Sequence, residues 1–145
     1  MTTAREIIDI LKLERHPEGG WYAQTFQDTE GHDGRASSTA IYYLLEGGDR
    51  SHWHTVDAVE IWHYHAGAPL ELSLSADGEV LRTIILGADL AAGQRPQGLV
   101  RKHEWQCARS LGDWTLVSCT VAPGFEFSGF RMASPGWHPG SPVST

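Results

Sequence analysis

Apolar and polar residues follow two different periods along this chain, and the change falls near residue 16. Before it, in TTAREIIDILKLERH, Ile7, Ile8, Leu11 and Leu13 recur at helical spacing and can form one apolar face. Thr3 and Glu6 stand at capping-box spacing, so a short helix is predicted over residues 3–13. HPEGG at residues 16–20 then stops it with Pro17 and two glycines.

After that stop the period is two. WYAQTFQ, STAIYYLLE, EIWHYHAG, PLELSLSA, EVLRTIILG, HEWQCARS and WTLVSCTVA are short runs rich in aromatic and β-branched residues. Turn signals separate them: EGHDG, EGGDR, ADGE and SLGDW. Asp77-Gly78 between ELSLS and EVLRTIIL is a hairpin signal. Short strands at this regular spacing predict a mainly β protein, an antiparallel sandwich or barrel with a short N-terminal helix. ADLAAGQRPQG at residues 88–98 reads as a surface loop, and the polar tail WHPGSPVST as frayed beyond Trp137. Neither a repeat nor a linker divides the chain, so residues 1–145 are read as one domain with a core of about 5–137.

Composition narrows the function classes. A hydrophobic fraction of 41% over 145 residues can bury a core without disulfide staples. Cys107 and Cys119, both in apolar strand-like contexts, are read as core residues. The formal net charge of −7 and the lack of a Lys/Arg cluster argue against nucleic acid or an anionic membrane as partner. Charges interrupt the apolar residues at the N-terminus, and no apolar run reaches spanning length. The expected location is the cytoplasm.

Candidate chemistry concentrates in SHWHTVDAVEIWHYHAG at residues 51–67, which holds four of the eight histidines. In a strand, residues two apart share a face, so His52 and His54 are expected to project together. Glu60 follows TVDAV, long enough for a turn that brings its carboxylate back toward them. Two histidines and a carboxylate with open positions suit zinc, manganese, iron, nickel or cobalt. The alternative is a pair of half-buried strand histidines bonded to neighbours or water. With Glu60 facing inward, alternation puts Trp62 and Tyr64 on that side and His63 and His65 on the other. The second pair is therefore expected in packing or at a subunit partner.

HPEGGWYAQTF, STAIYYLL, SHWHTVDAVEIWHYHAGAPLEL, EWQCARSLGDWTLVSCTVAPGFEFSGF and PGW occur in this order and resemble the signature blocks of the Cupin_5 (DUF985) family. The resemblance implies a double-stranded β-helix, a jelly-roll-like cupin barrel, commonly a homodimer. His52, His54, Glu60 and Gly67 fall on the places of the general first cupin motif, although the gap from His54 to Glu60 is longer than usual. In the second motif the family pattern puts Gln106 where a third histidine ligand belongs, with His103 three residues earlier in the opposite parity. The implied metal set is His52, His54, Glu60 and Gln106, and Gln is the poorer ligand.

A cupin barrel takes ligands at its open mouth. The matched blocks offer Tyr22, Gln24, Ser38, Tyr42, His52, His54, Glu60, Gln106, Glu126 and Phe127 as wall residues, with Trp105 or Arg109 nearby. Such a wall suits a small polar organic ligand of sugar or amino-acid type. By analogy with cupin sugar epimerases, His54 with Glu60 or Asp57, and Tyr42 or Tyr64, would form an acid–base set of the isomerase or epimerase kind. Three readings stand: a small-molecule-binding cupin with such chemistry, a metal-dependent enzyme, and a non-catalytic binding or sensing protein.

Overall fold

The computed structural model describes residues 2–29, 31 and 33–141. Helix α1 (Ala4–Leu11) starts at a Thr3–Glu6 capping box and ends at Lys12, which takes the left-handed conformation. Ile7, Ile8 and Leu13 are buried beneath it, against Leu44 of the sheet.

Among the described residues the period-two region forms eleven strands: β1 (Glu14–Arg15), β2 (Trp21–Gln27), β3 (Thr39–Glu46), β4 (Ser51–Val56), β5 (Val59–Gly67), β6 (Leu70–Ser75), β7 (Arg82–Leu86), β8 (Gln97–Val100), β9 (Trp105–Ser110), β10 (Trp114–Ala122) and β11 (Phe130–Met132). They make two antiparallel sheets, ordered β1-β2-β3-β10-β5-β8 and β11-β4-β9-β6-β7. Strand β3 shows why the fold holds: Tyr43 and Leu45 face the other sheet, while Leu44 faces α1. Both faces are covered, so the strand is apolar nearly throughout.

The inner faces pack unevenly. Toward one end Leu70, Leu72, Leu74, Leu86, Trp62 and Val117 fill the space without exposure beyond 1%. Toward the other end the sheets diverge around a cavity. Among the described residues three bulges interrupt the ladders, one at Thr25 of β2 and one each on β4 and β5. Between the pairs Ser51–Ala108 and His54–Gln106, two residues of β4, His52 and Trp53, oppose the single Cys107 of β9. On β5, Tyr64 and Ala66 oppose the consecutive Val117 and Leu116, which leaves His65 as the extra residue.

Several boundaries differ from the sequence reading. Residues 88–98 hold a 3-10 turn at Leu90–Ala92 and the start of β8, so this is only partly a loop. The Asp77-Gly78 hairpin exists, but its turn is wider: Leu74 pairs with Arg82. The Asp77 carboxylate accepts from the Glu79 and Val80 amides, which keeps residues 79–81 out of β7. Beyond Trp137 the tail is bonded to the body, since the Gly140 amide donates to the Gly78 carbonyl. Residues 142–145, and Glu30 and His32 in the EGHDG turn, lie outside the described residues. Cys107 and Cys119 are buried free thiols. Among the described residues no helix is long and apolar enough to cross a membrane.

Candidate functional site

A cavity of about 170 Å³ opens between the sheets. Its polar floor carries His16, Glu18, His54 and Glu60; Tyr22 and Gln24 stand on one wall, and Phe125, Phe127 and Phe130 on another. The aromatic wall is a corner of rings at 5.0–6.2 Å and 66–85° to one another. Phe127 also reaches solvent, with 57% exposure, and so stands at the rim.

Glu18 enters from the connector between β1 and β2. Gly19 and Gly20 both have positive φ, and a Cβ on Gly19 would meet the Arg50 carbonyl oxygen at 2.0 Å. The Tyr43 hydroxyl donates to the Gly19 carbonyl. These contacts hold the connector inside the barrel. Glu18 Oε2 lies 2.9 Å from His54 Nδ1, both side chains being buried. The pair is poorly aligned as a hydrogen bond, because the Nδ1–H group points to the His52 carbonyl at 2.7 Å, and Oε2 keeps no aligned donor. His54 Nε2 is left as the ring nitrogen available to a ligand.

Charge follows from this arrangement. Burial works against a charged His54, but the Glu18 carboxylate outweighs it, and the pKa is pushed up to about 9. Burial likewise works against ionised Glu18, and the His54 imidazolium still holds it below its ordinary value. For Glu60 burial wins: with the Glu18 charge it pushes the carboxyl up to about 7, against the attraction of His54 and hydrogen bonds from Gln106 and Cys119. Burial lowers His16. Its Nδ1 accepts from the Glu18 amide at 3.1 Å, so the 3.6 Å approach to Glu18 Oε1 is no ion pair near neutrality. Burial raises the Cys119 thiol well above its ordinary value, so it stays protonated.

The residues singled out from sequence divide clearly. His54, Glu60, Tyr22, Gln24 and Phe127 line the cavity. His52 does not: the β4 bulge turns it off the inward face, and its Nε2 donates to the Ser134 carbonyl at 3.0 Å. Tyr42 packs with the α1 cluster, because Ile41 and Tyr43 hold the inward positions of β3. Ser38 lies one residue outside β3, and Thr39 takes the lining place. Gln106 is fully buried behind Glu60. Glu126 stays half exposed, 3.7 Å from Arg35. Asp57 is held by the Arg35 guanidinium at 2.8 Å. Tyr64 donates its hydroxyl to the Gly67 carbonyl. Trp105 packs on Trp137, and Arg109 pairs with Glu71. His63 and His65 bond Thr120 and Ser118 away from the cavity.

Sequence reasoning missed His16, Glu18, Thr39, Phe125 and Phe130. The first two lay in HPEGG, read as a helix stop; an acid beside two glycines was the available signal of a close backbone approach.

The implied metal set does not assemble. His52 faces elsewhere and bonds the Ser134 carbonyl, and Gln106 is committed to Trp62 and Glu60. Among the described residues no group of three or more His, Cys, Asp or Glu side chains could hold a metal ion.

Comparison with known proteins agrees with this architecture. The family model Cupin_5, described as cupin superfamily (DUF985), matches residues 5–133. A Shewanella oneidensis protein of known structure is 40% identical, with TM-score 0.89 over 92% of this chain and 86% of its own. A hypothetical protein from Leishmania major is 29% identical, with TM-score 0.85 over 94% and 90%. Oxalate decarboxylase from Bacillus subtilis is 14% identical, with TM-score 0.60 over 84% of this chain and 30% of that one, a likeness of fold alone. Mn(II) centres are described in that enzyme. No curated protein matches the sequence.

Proposed function

The chain belongs to the Cupin_5 (DUF985) family, and from that premise we propose that its cavity binds one small polar organic molecule and performs acid–base chemistry of the isomerase or epimerase kind on it. The observation that carries this reading is the pairing of Glu60, near pKa 7, with His54, near pKa 9, on one buried floor. Burial brings the Glu60 carboxyl toward neutrality, and Glu18 favours the charged form of His54. A group with a pKa near the working pH is the most effective proton carrier.

The chemistry is then simple. Glu60 takes a proton from a carbon beside a substrate carbonyl, so a C–H bond breaks and a carboxyl O–H bond forms. The electron pair moves to the carbonyl oxygen, where the His54 Nε2–H donates to the developing charge. Return of the proton from Glu60 to the neighbouring carbon, with that carbon's hydroxyl proton passing to the former carbonyl oxygen, gives the isomer; a proton given to the opposite face by the Tyr22 hydroxyl, with solvent restoring both groups, gives the epimer. No step passes through a metal. Tyr22 supplies a hydroxyl at the wall in place of Tyr42, while burial holds the Tyr43 phenol well above its ordinary pKa.

Size limits the ligand. Cavities of roughly 150 Å³ accept a benzene-sized guest, and this one is of that order at about 170 Å³. A single sugar ring or a small hydroxy or keto compound suits it, and a nucleotide sugar would have to leave its nucleotide outside. Assembly as a homodimer belongs to the same proposal and is tested by sedimentation.

The functional test is a panel of monosaccharides and small hydroxycarbonyl compounds in deuterated water. Binding should shift the Tyr22 and Phe127 ring resonances, and turnover should place solvent deuterium in the ligand. Binding without exchange for every member would leave a ligand-binding protein and remove the acid–base reading.

A further inference from the structure

Glu60 draws its partners from several elements. Gln106 on β9 donates its amide to Glu60 Oε1 at 2.8 Å. Cys119 on β10 is a weaker partner, and the charges of Glu18 and His54 act on the same carboxyl. Of these, Gln106 never touches the cavity. It is 0% exposed and lies in register opposite His54 on one side and Leu74 on the other.

A buried primary amide can usually turn over and exchange its donor end for its acceptor end. Gln106 cannot do so without loss. Its Oε1 accepts the Trp62 indole N–H at 2.9 Å. An indole nitrogen only donates, so Gln106 Oε1 must stay beside it. The NH₂ end is thereby aimed at Glu60. Trp62 is itself 1% exposed, so water does not compete for that bond.

We propose that Gln106, locked by Trp62, is the positioning residue of Glu60: it keeps Glu60 Oε1 an acceptor and leaves the labile carboxyl proton to Oε2. An oxygen that receives an N–H cannot easily carry its own proton toward that donor. The proton Glu60 exchanges is therefore gained and lost at the other oxygen. The residue that takes a third histidine's place here serves the acid instead of a metal.

This inference rests on the acid–base reading of the cavity, but its test needs no substrate. The side-chain carboxyl ¹³C shift of Glu60 is followed against pH in the full chain, in wild type, Gln106→Leu and Trp62→Phe. Wild type should titrate near 7. Losing the donor in Gln106→Leu should raise the midpoint by about one pH unit or more. Trp62→Phe, which frees the amide to turn its oxygen toward Glu60, should raise it in the same direction, and the double variant should move it no further than Gln106→Leu. A purely structural role would lower thermal stability and leave the Glu60 midpoint in place, and that result overturns the proposal. If Gln106→Leu does not fold, Trp62→Phe decides on the same criterion. A wild-type Glu60 titrating as an ordinary carboxyl would sink the acid–base reading; a midpoint that still moved with Gln106 would leave the positioning role standing.

Discussion

Glu18 and His54 meet at 2.9 Å inside the barrel although one stands on a connector and the other on a strand. Their charges are mutually dependent. Removing one partner of a buried pair costs about 3–5 kcal/mol when the other charge must remain, and less when it can neutralise. In Glu18→Gln, His54 loses the main cause of its raised pKa. We expect its ring resonance to titrate at or below the ordinary histidine value instead of near 9, with stability reduced by about 2–3 kcal/mol at neutral pH. Proton NMR of the ring and urea denaturation read the two effects separately.

The same pair sets an alkaline limit. His54 moves from an ordinary 6.5 to about 9 in the folded state, so its contribution is complete below 6.5 and is lost as pH climbs through 9. Glu60 acts with the same sign, because a carboxyl raised from 4.5 to about 7 favours folding while protonated and ceases to as pH passes 7. Between about pH 6 and about pH 10 stability should therefore fall by on the order of 3 kcal/mol. Glu18 is lowered and works oppositely, its contribution being present above 4.5 and lost in acid. Calorimetry across pH measures the slope, and a melting temperature constant up to about pH 10 would contradict it.

The two tyrosines nominated from sequence separate in one comparison. Tyr22 lines the cavity and Tyr42 packs with the helix cluster. Tyr22→Phe should weaken ligand binding by roughly tenfold, the scale of one lost neutral hydrogen bond. Tyr42→Phe should leave binding unchanged. Titration calorimetry with whichever ligand the panel identifies makes the comparison, and equal losses in both would refute the assignment.

Metal addition gives a further expectation. His52 is bonded to the Ser134 carbonyl and Gln106 to Trp62 and Glu60, so an Mn(II) or Zn(II) ion would find neither of them free as a ligand. Neither ion should raise the melting temperature at neutral pH. Metal retained at one equivalent after purification without an affinity tag, and lost in His54→Ala, would show that the floor rearranges around an ion.

Much of this was legible in the chain. Thr3 and Glu6 gave the start of α1, and the inward run Glu60, Trp62, Tyr64 followed from alternation, because no bulge precedes His65. His52 failed for the same reason that Glu60 succeeded. Alternation is a local rule, and a bulge whose cause lies in the pairing of β4 with β9 is invisible in β4 alone. Tyr42 failed by one residue: STAIYY is apolar on both faces because α1 covers the second, so nothing in that run marks the inner side. Glu18 was hidden differently. Only the fold shows that the connector after β1 passes through the interior.

That connector has a wider consequence. Five residues, His16 to Gly20, carry the counterion of His54, while the strands carry His54 and Glu60, on which its charge acts. The reactive floor is thus modular: its charge can be rewritten by exchanging a short inserted segment, with the two sheets left as they are.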